Sequence, residues 1–543
     1  MERDGLDMLV IGGGITGAAV AMDAAVRGYR VGLVEKNDFA SGTSSKSTKL
    51  IHGGLRYLPQ LDFSLVREAL VERGLLMKNA PWIAQPLGFV LPLYANSRRP
   101  LGLPIAPPLG IGLDLIVQSG LMLYDGISGA NRLTNHRRLS LREARKRAPA
   151  LREDGLIHAF IYYDGQTDDC RLTLAVLLTA VSRAALAANY TEAVRFEIAG
   201  GRITHTLVRD RVEEREYRIA CCHVVNAGGV FAERIEGLIG SPSDLAIAPA
   251  KGVHLIFSRE TLPIGDDAIV LPETDDGRLL FIIPWEGRVL VGTTDTPGGD
   301  IESPLTLKED VAYLLAHCNR YLKKKLTEAD ILSSFAGYRP LVSSRSSERA
   351  SSQLSRSHAV LEGPGSMVSI VGGKLTTWRR KAEDTVDLIA ERDGRPHSDI
   401  TKETELDGAT GWPPSESFLR EAHTRFGEEV VRHLLAAYGG HIYDVLAIAG
   451  ESDHFSRRVV SDLPYLLAEV AYACRYEMAL TLDDILCRRT HIVLLDRDQG
   501  AGVARDVALI MAEELDWDDA EIARQINSYR ETVAREFRPH ITR

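Results

Sequence analysis

The sequence predicts an α/β fold: a Rossmann-like dinucleotide-binding domain, an inserted antiparallel sheet, and a C-terminal helical cap. Three observations carry this reading. An apolar run, Met8 to Ile11, ends in the G-x-G-x-x-G of Gly12, Gly14 and Gly17 and passes into an Ala-rich helical pattern. Strand patterns gather again between Pro249 and Asp295. Past about Arg395, Pro396 and the pair Pro413-Pro414 mark a boundary, and helical periodicity dominates.

The N-terminal unit is the most specific. A second apolar run, Val31 to Val34, stops at Glu35, 18 residues beyond Gly17, completing a βαβ dinucleotide pattern in its required context. Gly12 permits the tight turn, Gly14 lets the backbone approach a pyrophosphate, and Gly17 lets helix and strand pack closely. Ile15 and Thr16 open the helix, whose N-terminus faces the negative charge. Glu35 can accept hydrogen bonds from a ribose hydroxyl, with Lys36 beside it. The bland alternative is a glycine-rich turn without ligand. The pattern alone does not choose between a nicotinamide and a flavin. Ser41 to Lys49 is then small and polar, including Thr43, Ser44 and Ser45, and is followed by Leu50-Ile51-His52-Gly53-Gly54-Leu55-Arg56-Tyr57. A second ligand-hugging stretch so soon after the ribose acid implies a large cofactor lying extended along the chain.

Next comes a surface-helix pattern over Asp62 to Lys78, with Phe63, Val66, Leu70, Leu75 and Leu76 at helical spacing, and a strand over Phe89 to Tyr94. Pro100 to Ile111 is apolar but interrupted by four prolines, so it cannot be a spanning helix. The helix after it gathers Leu113, Ile116, Val117, Leu121 and Tyr124 on one face, bracketed by Arg98, Arg99, Arg132, Arg137 and Arg138. Such a face can lie in an anionic membrane surface or pack on its own domain. A long helical pattern follows from Leu172 to Ala188, with the acids before it as helix caps. Strands are expected at 193–198, 202–209 and 216–220, and His223 to Gly229 reads as a strand ending in small residues. Glu309 to Lys325 reads as a helix and the serine-rich Ser343 to Ser357 as a loop. Met367 to Val371 delivers Gly372 to Trp378 to a helix N-terminus, and Thr481 to Asp484 reads as a capping box.

Composition narrows the classes. The 543 residues suffice for about three domain-sized units. A net charge of −10 argues against general nucleic-acid binding. The six cysteines form no C-x-x-C pair, so no zinc site or disulfide framework is expected and the chain reads as reduced and cytosol-facing. Met1-Glu2-Arg3-Asp4 has no basic n-region, so no signal peptide is expected.

Ser41 to Leu58, SGTSSKSTKLIHGGLRYL, resembles the FAD-dependent glycerol-3-phosphate dehydrogenases, and later motifs resemble the same family in the same order. They are KGVH (Lys251 to His254), GYRPL (Gly337 to Leu341) and GGKLTT (Gly372 to Thr377). The chain departs at Gly229-Val230-Phe231, where the family more often has Gly-Pro-Trp, so the local turn need not follow it. The resemblance implies a two-dinucleotide-binding FAD domain over 1–60, 155–245 and 340–395. It implies a substrate domain over 61–154 and 246–339, with the antiparallel sheet roofing the flavin, and a helical domain over 396–543. Asn226, Ala227, Gly228, Gly373, Lys374, Leu375 and Thr376 are implied to join the cofactor site, with Lys49, Leu50, His52, Gly53 and Gly54.

Cations set beside glycines or prolines, Arg56, Lys251, Arg339 and Lys374, would suit a phosphate dianion in an otherwise acidic protein; taken singly, each suits an ordinary surface ion pair. The resemblance implies hydride transfer from C2 of glycerol 3-phosphate to flavin N5, with His254 polarising the hydroxyl or taking its proton. A tautomer-fixed core histidine is the alternative at that position. Arg56 and Arg339 would grip phosphate or the developing alkoxide, and Lys374 the flavin edge or the substrate. Tyr57 and Thr376 would be hydrogen-bond partners, and His52 would support its loop. The acceptor is a membrane quinone for the dehydrogenases and oxygen for related oxidases. An amino-acid oxidase of the same superfamily and a non-catalytic flavin protein complete the alternatives. A cytoplasmic protein held peripherally on the inner face of the cell membrane follows, and a homodimer is allowed.

Overall fold

The computed structural model describes residues 1–3, 5–95, 97, 101, 112–240, 245–342 and 357–540. Arg98, Arg99, the prolines from Pro100 to Pro108 and most of the serine-rich loop lie outside the described residues. No helix among the described residues is long and apolar enough to cross a membrane.

β1 (Leu6–Ile11), α1 (Ile15–Val26) and β2 (Val31–Val34) form the expected βαβ unit. Both strands are almost wholly buried, which is why they read as unbroken apolar runs. There follow β3 (Leu50–Ile51), α2 (Phe63–Asn79), β4 (Ala84–Tyr94), α3 (Leu113–Ser128), β5 (Arg137–Leu139), α4 (Leu141–Arg147) and β6 (Leu156–Thr167). The chain then runs through α5 (Asp169–Ser182), β7 (Leu186–Ala188), β8 (Thr191–Ala199), β9 (Arg202–Asp210), β10 (Arg215–Asn226) and α6 (Ala232–Gly237). Next are β11 (Ile247–Ser258), β12 (Ala268–Leu271), β13 (Leu280–Trp285), β14 (Arg288–Gly292), β15 (Thr296–Pro297), α7 (Lys308–Asn319) and β16 (Ser333–Val342). β17 (His358–Glu362), β18 (Val368–Gly372) and α8 (Trp378–Arg392) precede the C-terminal helices.

The first sheet has the order β17-β18-β10-β1-β2-β7, parallel except for β17, with the β8–β9 ribbon continuing antiparallel from the first half of β10. The second runs β15-β11-β14-β13-β12-β4-β6-β3, with β16 on β11 and β5 on β6. Its antiparallel pattern is broken once, where β12 lies parallel to β4 and joins the two halves of the inserted region. Of residues 155–245, expected to reopen the cofactor domain, 156–167 instead form β6 of this second sheet; the first sheet resumes at β7. The helix expected through Ala188 stops at Ser182, because Ala184 takes φ 69° and the chain turns into the short strand β7. Asp168 caps α5 by accepting from Arg171 N at 3.0 Å.

The apolar face of α3 is core. Val117, Leu121 and Tyr124 are buried, and the Tyr124 hydroxyl donates to Asp164, which also binds Arg73. Of the two readings of this face, packing on its own domain is the one the structure supports; the side turned outward carries Leu115, Met122 and Leu123. α2 is likewise half sunk, with Glu72 and Arg73 buried.

Helices α9 (Glu416–Phe426), α10 (Glu428–Tyr438), α11 (Ile442–Ala449), α12 (Leu467–Tyr476), α13 (Ile492–Leu495), α14 (Ala504–Leu515) and α15 (Asp519–Thr532) build the C-terminal region. Its core is continuous with α2, α3 and the second sheet, so Tyr438 and Leu486 belong to the same apolar cluster as Val66, Leu121 and Ile283. Thr481 and Asp484 exchange reciprocal bonds, the expected capping box.

Candidate active site

A cavity of about 1520 Å³ runs between the two sheets, far more than a small metabolite requires. One end is the glycine turn. Gly12 takes φ +113°, and a β-carbon there would stand 2.6 Å from Ala227 O. A side chain at Gly17 would strike the carbonyl of Gly12, so Gly17 serves helix packing and does not line the cavity. Gly14, Ile15 and Thr16 put the first turn of α1 on the wall; no side chain caps this helix at Gly14, and Ile15 N donates to Ser44 Oγ at 2.9 Å. Glu35 accepts from Gly13 N at 2.7 Å and Asn37 N at 2.9 Å. Burial pushes its carboxyl up, and those two N–H groups oppose the shift. Lys36 sits 3.9 Å over the Phe231 ring, and Thr43 Oγ1 donates to Tyr338 O, joining the polar loop to the second sheet. Ser45, Leu50, His52, Ala227, Gly228, Gly373, Leu375 and Thr376 also line the cavity. His52 and Thr376 are cross-linked, with His52 N donating to Thr376 Oγ1 at 3.1 Å.

The other end holds the chemistry. His254 lies mid-strand in β11, 1% exposed, stacked on Phe335 at 4.7 Å between ring centres. Its Nε2 is 3.0 Å from Thr48 Oγ1, and its Nδ1 has no hydrogen-bond partner among the described residues. Burial, then the charges of Arg339 and Lys49, hold it well below the usual histidine range, so the ring is neutral. Gly292 on β14 faces it, where any side chain would overlap the imidazole. Arg339 donates to Thr293 Oγ1 and Thr294 O, both 3.2 Å, and pairs with Asp295 at 3.3 Å. Its guanidinium lies over Gly252, where a β-carbon would come within 2.6 Å of Nη2. The GYRPL segment is extended: Arg339 is inside β16, paired with Ala250. Pro340 is tolerated there because, among the described residues, β16 pairs on one side only, and an edge strand can spare the missing N–H.

Lys374 reaches the cavity from the β18–α8 turn, with Nζ 4.2 Å over the Tyr57 ring. Arg56 donates to Tyr57 OH at 2.8 Å. Arg56 and Tyr57 do not line the cavity; they stand behind Lys374. Several other candidates turn away. Lys49 is fully buried, ion-paired with Asp169 and donating to Ser45 O at 2.8 Å, so the expectation that it faces the cofactor is corrected: it ties the polar loop to α5. Gly53 N is bound by Tyr124 OH, and Gly54 takes φ +84° beside Lys374. Asn226 holds Ala232 O and Ser369 Oγ beneath the strand end. Lys251 points to the opposite side of β11, pairing with Asp310 at 2.6 Å, as the two-residue repeat of a strand requires. Among the described residues, Asp168, Cys170 and His491 lie close enough to share a metal ion. Asp168 already bonds His491 at 2.7 Å, and the charge of Lys49 acts on it as well.

Sequence reasoning missed Thr48, hidden in a run of similar hydroxyl residues, and Lys381, which follows Arg379 and Arg380 and so reads as a solvated charge run. It also assigned no chemistry to the C-terminal region. Yet Thr481, Arg488, Thr532, Glu536 and Phe537 wall the cavity, and Lys46 pairs with Glu536 at 2.8 Å.

A long cavity with a glycine cradle, a helix N-terminus on its wall and a buried acid at the end of β2 fits FAD. Residues 7–379 match the family model described as FAD dependent oxidoreductase, and 399–522 match the C-terminal domain of alpha-glycerophosphate oxidase. The chain is similar to the probable mitochondrial glycerol-3-phosphate dehydrogenase of Dictyostelium discoideum, 36% identical over 94% of this chain and 81% of the relative. It is similar to glycerol-3-phosphate dehydrogenase 2 of Mycobacterium tuberculosis, 37% identical over 98% of this chain and 88% of the relative. Among solved structures, the glycerol-3-phosphate dehydrogenase of Bacillus halodurans complexed with FAD superposes with a TM-score of 0.78 at 31% identity, over 99% of this chain and 96% of that one. The L-alpha-glycerophosphate oxidase of Mycoplasma pneumoniae shares the fold, with a TM-score of 0.55 at 20% identity over 71% of this chain and 94% of that one. Cradle, cavity and likeness along nearly the whole length agree: the chain belongs to the FAD-dependent glycerol-3-phosphate dehydrogenase family.

Proposed function

We propose that this oxidoreductase converts sn-glycerol 3-phosphate to dihydroxyacetone phosphate and passes the electrons to a membrane quinone. The observation that supports this best is the spacing of one neutral imidazole and one guanidinium on the same cavity wall. Arg339 covers Gly252, and His254 lies two residues along the same strand face, a repeat of about 7 Å. That distance suits a three-carbon alcohol with a phosphate at its end. Bound FAD supplies the hydride acceptor, its N5, for the hydrogen on C2. His254 Nε2 takes the hydroxyl proton, the Thr48 hydroxyl giving up its place at that nitrogen or relaying the proton. Arg339 holds the phosphate, and Lys374, steadied by Tyr57 and Arg56, places its ammonium on the flavin edge or the substrate. Thr376 fixes the His52 loop beneath.

For the membrane, the outward side of α3 replaces the face expected from sequence. Leu115, Met122 and Leu123 are exposed there, and Leu61 and Phe63 are exposed where α2 begins. The C-terminal match to an oxidase domain favours the second reading, oxygen as acceptor. Anaerobic mixing with glycerol 3-phosphate should bleach the flavin. Recovery of colour with a quinone analogue but not with oxygen fits the dehydrogenase; rapid recovery in oxygen with peroxide release refutes the quinone assignment. No bleaching refutes the substrate.

A further inference from the structure

Cations buried in this structure are matched by carboxylates: Lys49 by Asp169, Lys251 by Asp310, Arg73 by Asp164 and Arg489 by Asp38. Lys381 on α8 is different. It is 4% exposed, lines the cavity, and its Nζ donates to Thr16 Oγ1 at 2.7 Å. No carboxylate pairs with it among the described residues. The charged groups around it are engaged with one another: Arg379 with Glu72 and Glu383, His358 with Asp384, and Arg27 with Asp23 and Asp387. Glu35 is held by backbone N–H groups across the glycine turn. Burial alone pushes the Lys381 ammonium down to about 8. A buried charge without a counter-charge is costly, and a ligand that brings the opposite charge removes the cost. Thr16 marks where that charge belongs, because it lies in the first turn of α1, whose N–H groups and dipole attract an anion.

We propose that Lys381 is a cofactor-binding residue whose ammonium, with the N-terminus of α1, holds the diphosphate of the bound dinucleotide. The inference rests on the FAD assignment. It separates two roles that the cavity wall would otherwise blur: Lys374 serves the reacting end and Lys381 the phosphate end, from opposite ends of one turn-and-helix segment.

The test is equilibrium binding to protein stripped of flavin, read by quenching of flavin fluorescence, with FAD and riboflavin as the two probes. Lys381→Met should weaken FAD about ten- to hundredfold, the scale of one charge-assisted contact, and leave riboflavin, which has no phosphate, unchanged. The stripped variant should melt at or above the temperature of the stripped parent, since a buried charge has been removed, while its gain on adding FAD shrinks. The parent gives a second, mutation-free reading. An anion raises the lysine in the complex, so FAD affinity should be constant below pH about 8 and fall as pH rises through the bound value. An equal loss for both probes, or unchanged FAD affinity together with no alkaline fall in the parent, overturns the proposal. If the unmodified protein binds neither FAD nor riboflavin, the flavin assignment itself fails.

Discussion

Removing the Arg339 charge should move the pH at which His254 becomes competent. Arg339 and Lys49 both depress the imidazole, and with the guanidinium over Gly252 the separation is about 7 Å. At an effective dielectric constant of about 20, two unit charges so placed interact by about 2.4 kcal/mol, or about 1.7 pH units. Asp295, 3.3 Å from Arg339, offsets part of this, and a rise of about one unit is the expected result for Arg339→Met. The sign follows from the charge: losing a neighbouring cation makes imidazolium easier to form, so the acid limb of activity shifts to higher pH. In the unmodified enzyme that limb should lie below the ordinary histidine value of about 6.5. Stopped-flow flavin reduction between pH 5 and 9 measures both. At pH 8, above either limb, the variant should lose about ten- to hundredfold in kcat/KM toward glycerol 3-phosphate, with the slow oxidation of plain glycerol spared. A pH profile that stays put while the rate falls would refute the electrostatic coupling. Equal losses with both alcohols would place Arg339 at the reacting hydroxyl instead of the phosphate.

Thr48→Val should slow flavin reduction by about tenfold without changing flavin content, and Thr48→Ser should restore most of it, because the contact to His254 needs only a hydroxyl. Full activity in the valine variant removes Thr48 from the site. Asp169→Asn strands a fully buried lysine and should cost about 3–5 kcal/mol in chemical denaturation, with the polar loop and bound flavin lost together; a change below about 1 kcal/mol would mean that Lys49 finds another partner. For α3, Val117→Ser with Leu121→Ser should destabilise the fold, each by a cost on the scale of core truncation, about 2–5 kcal/mol. Leu115→Ser with Met122→Ser and Leu123→Ser should leave stability intact and reduce binding to anionic vesicles. Unchanged vesicle binding would end the assignment of that side to a membrane.

The nucleotide end was legible because its chemistry is local. A turn of glycines, an acid after the second strand and a polar loop must be contiguous to do their work, and their spacing survives in the sequence. The second sheet was legible as strands but not as topology, since nothing in β4 announces that β12 will lie parallel to it. Helical spacing on α3 located an apolar stripe correctly, but a stripe is the same signal whether protein or lipid covers it. Arg339 was legible as a residue but not in its setting, because a proline inside a strand is permitted only where the neighbouring strand is absent. Lys49 and Lys381 were assigned the wrong way round: the resemblance put Lys49 in the cofactor site, and Lys381 read as part of a charge run. Both are lysines among small or charged neighbours, and only the third dimension decides that one meets Asp169 and the other meets the cavity.

The cavity that begins at Gly12 is closed by residues as far along the chain as Phe537. On a ribosome, the glycine cradle would emerge first and stay open on one side until the last helices were made, so tight retention of the flavin belongs to the finished chain. Once bound, a molecule that touches both walls acts as a non-covalent clasp between distant parts of the sequence. It would oppose separation of the C-terminal helices just as those helices oppose its escape, and thermal loss of flavin and undocking of those helices should then occur as one event.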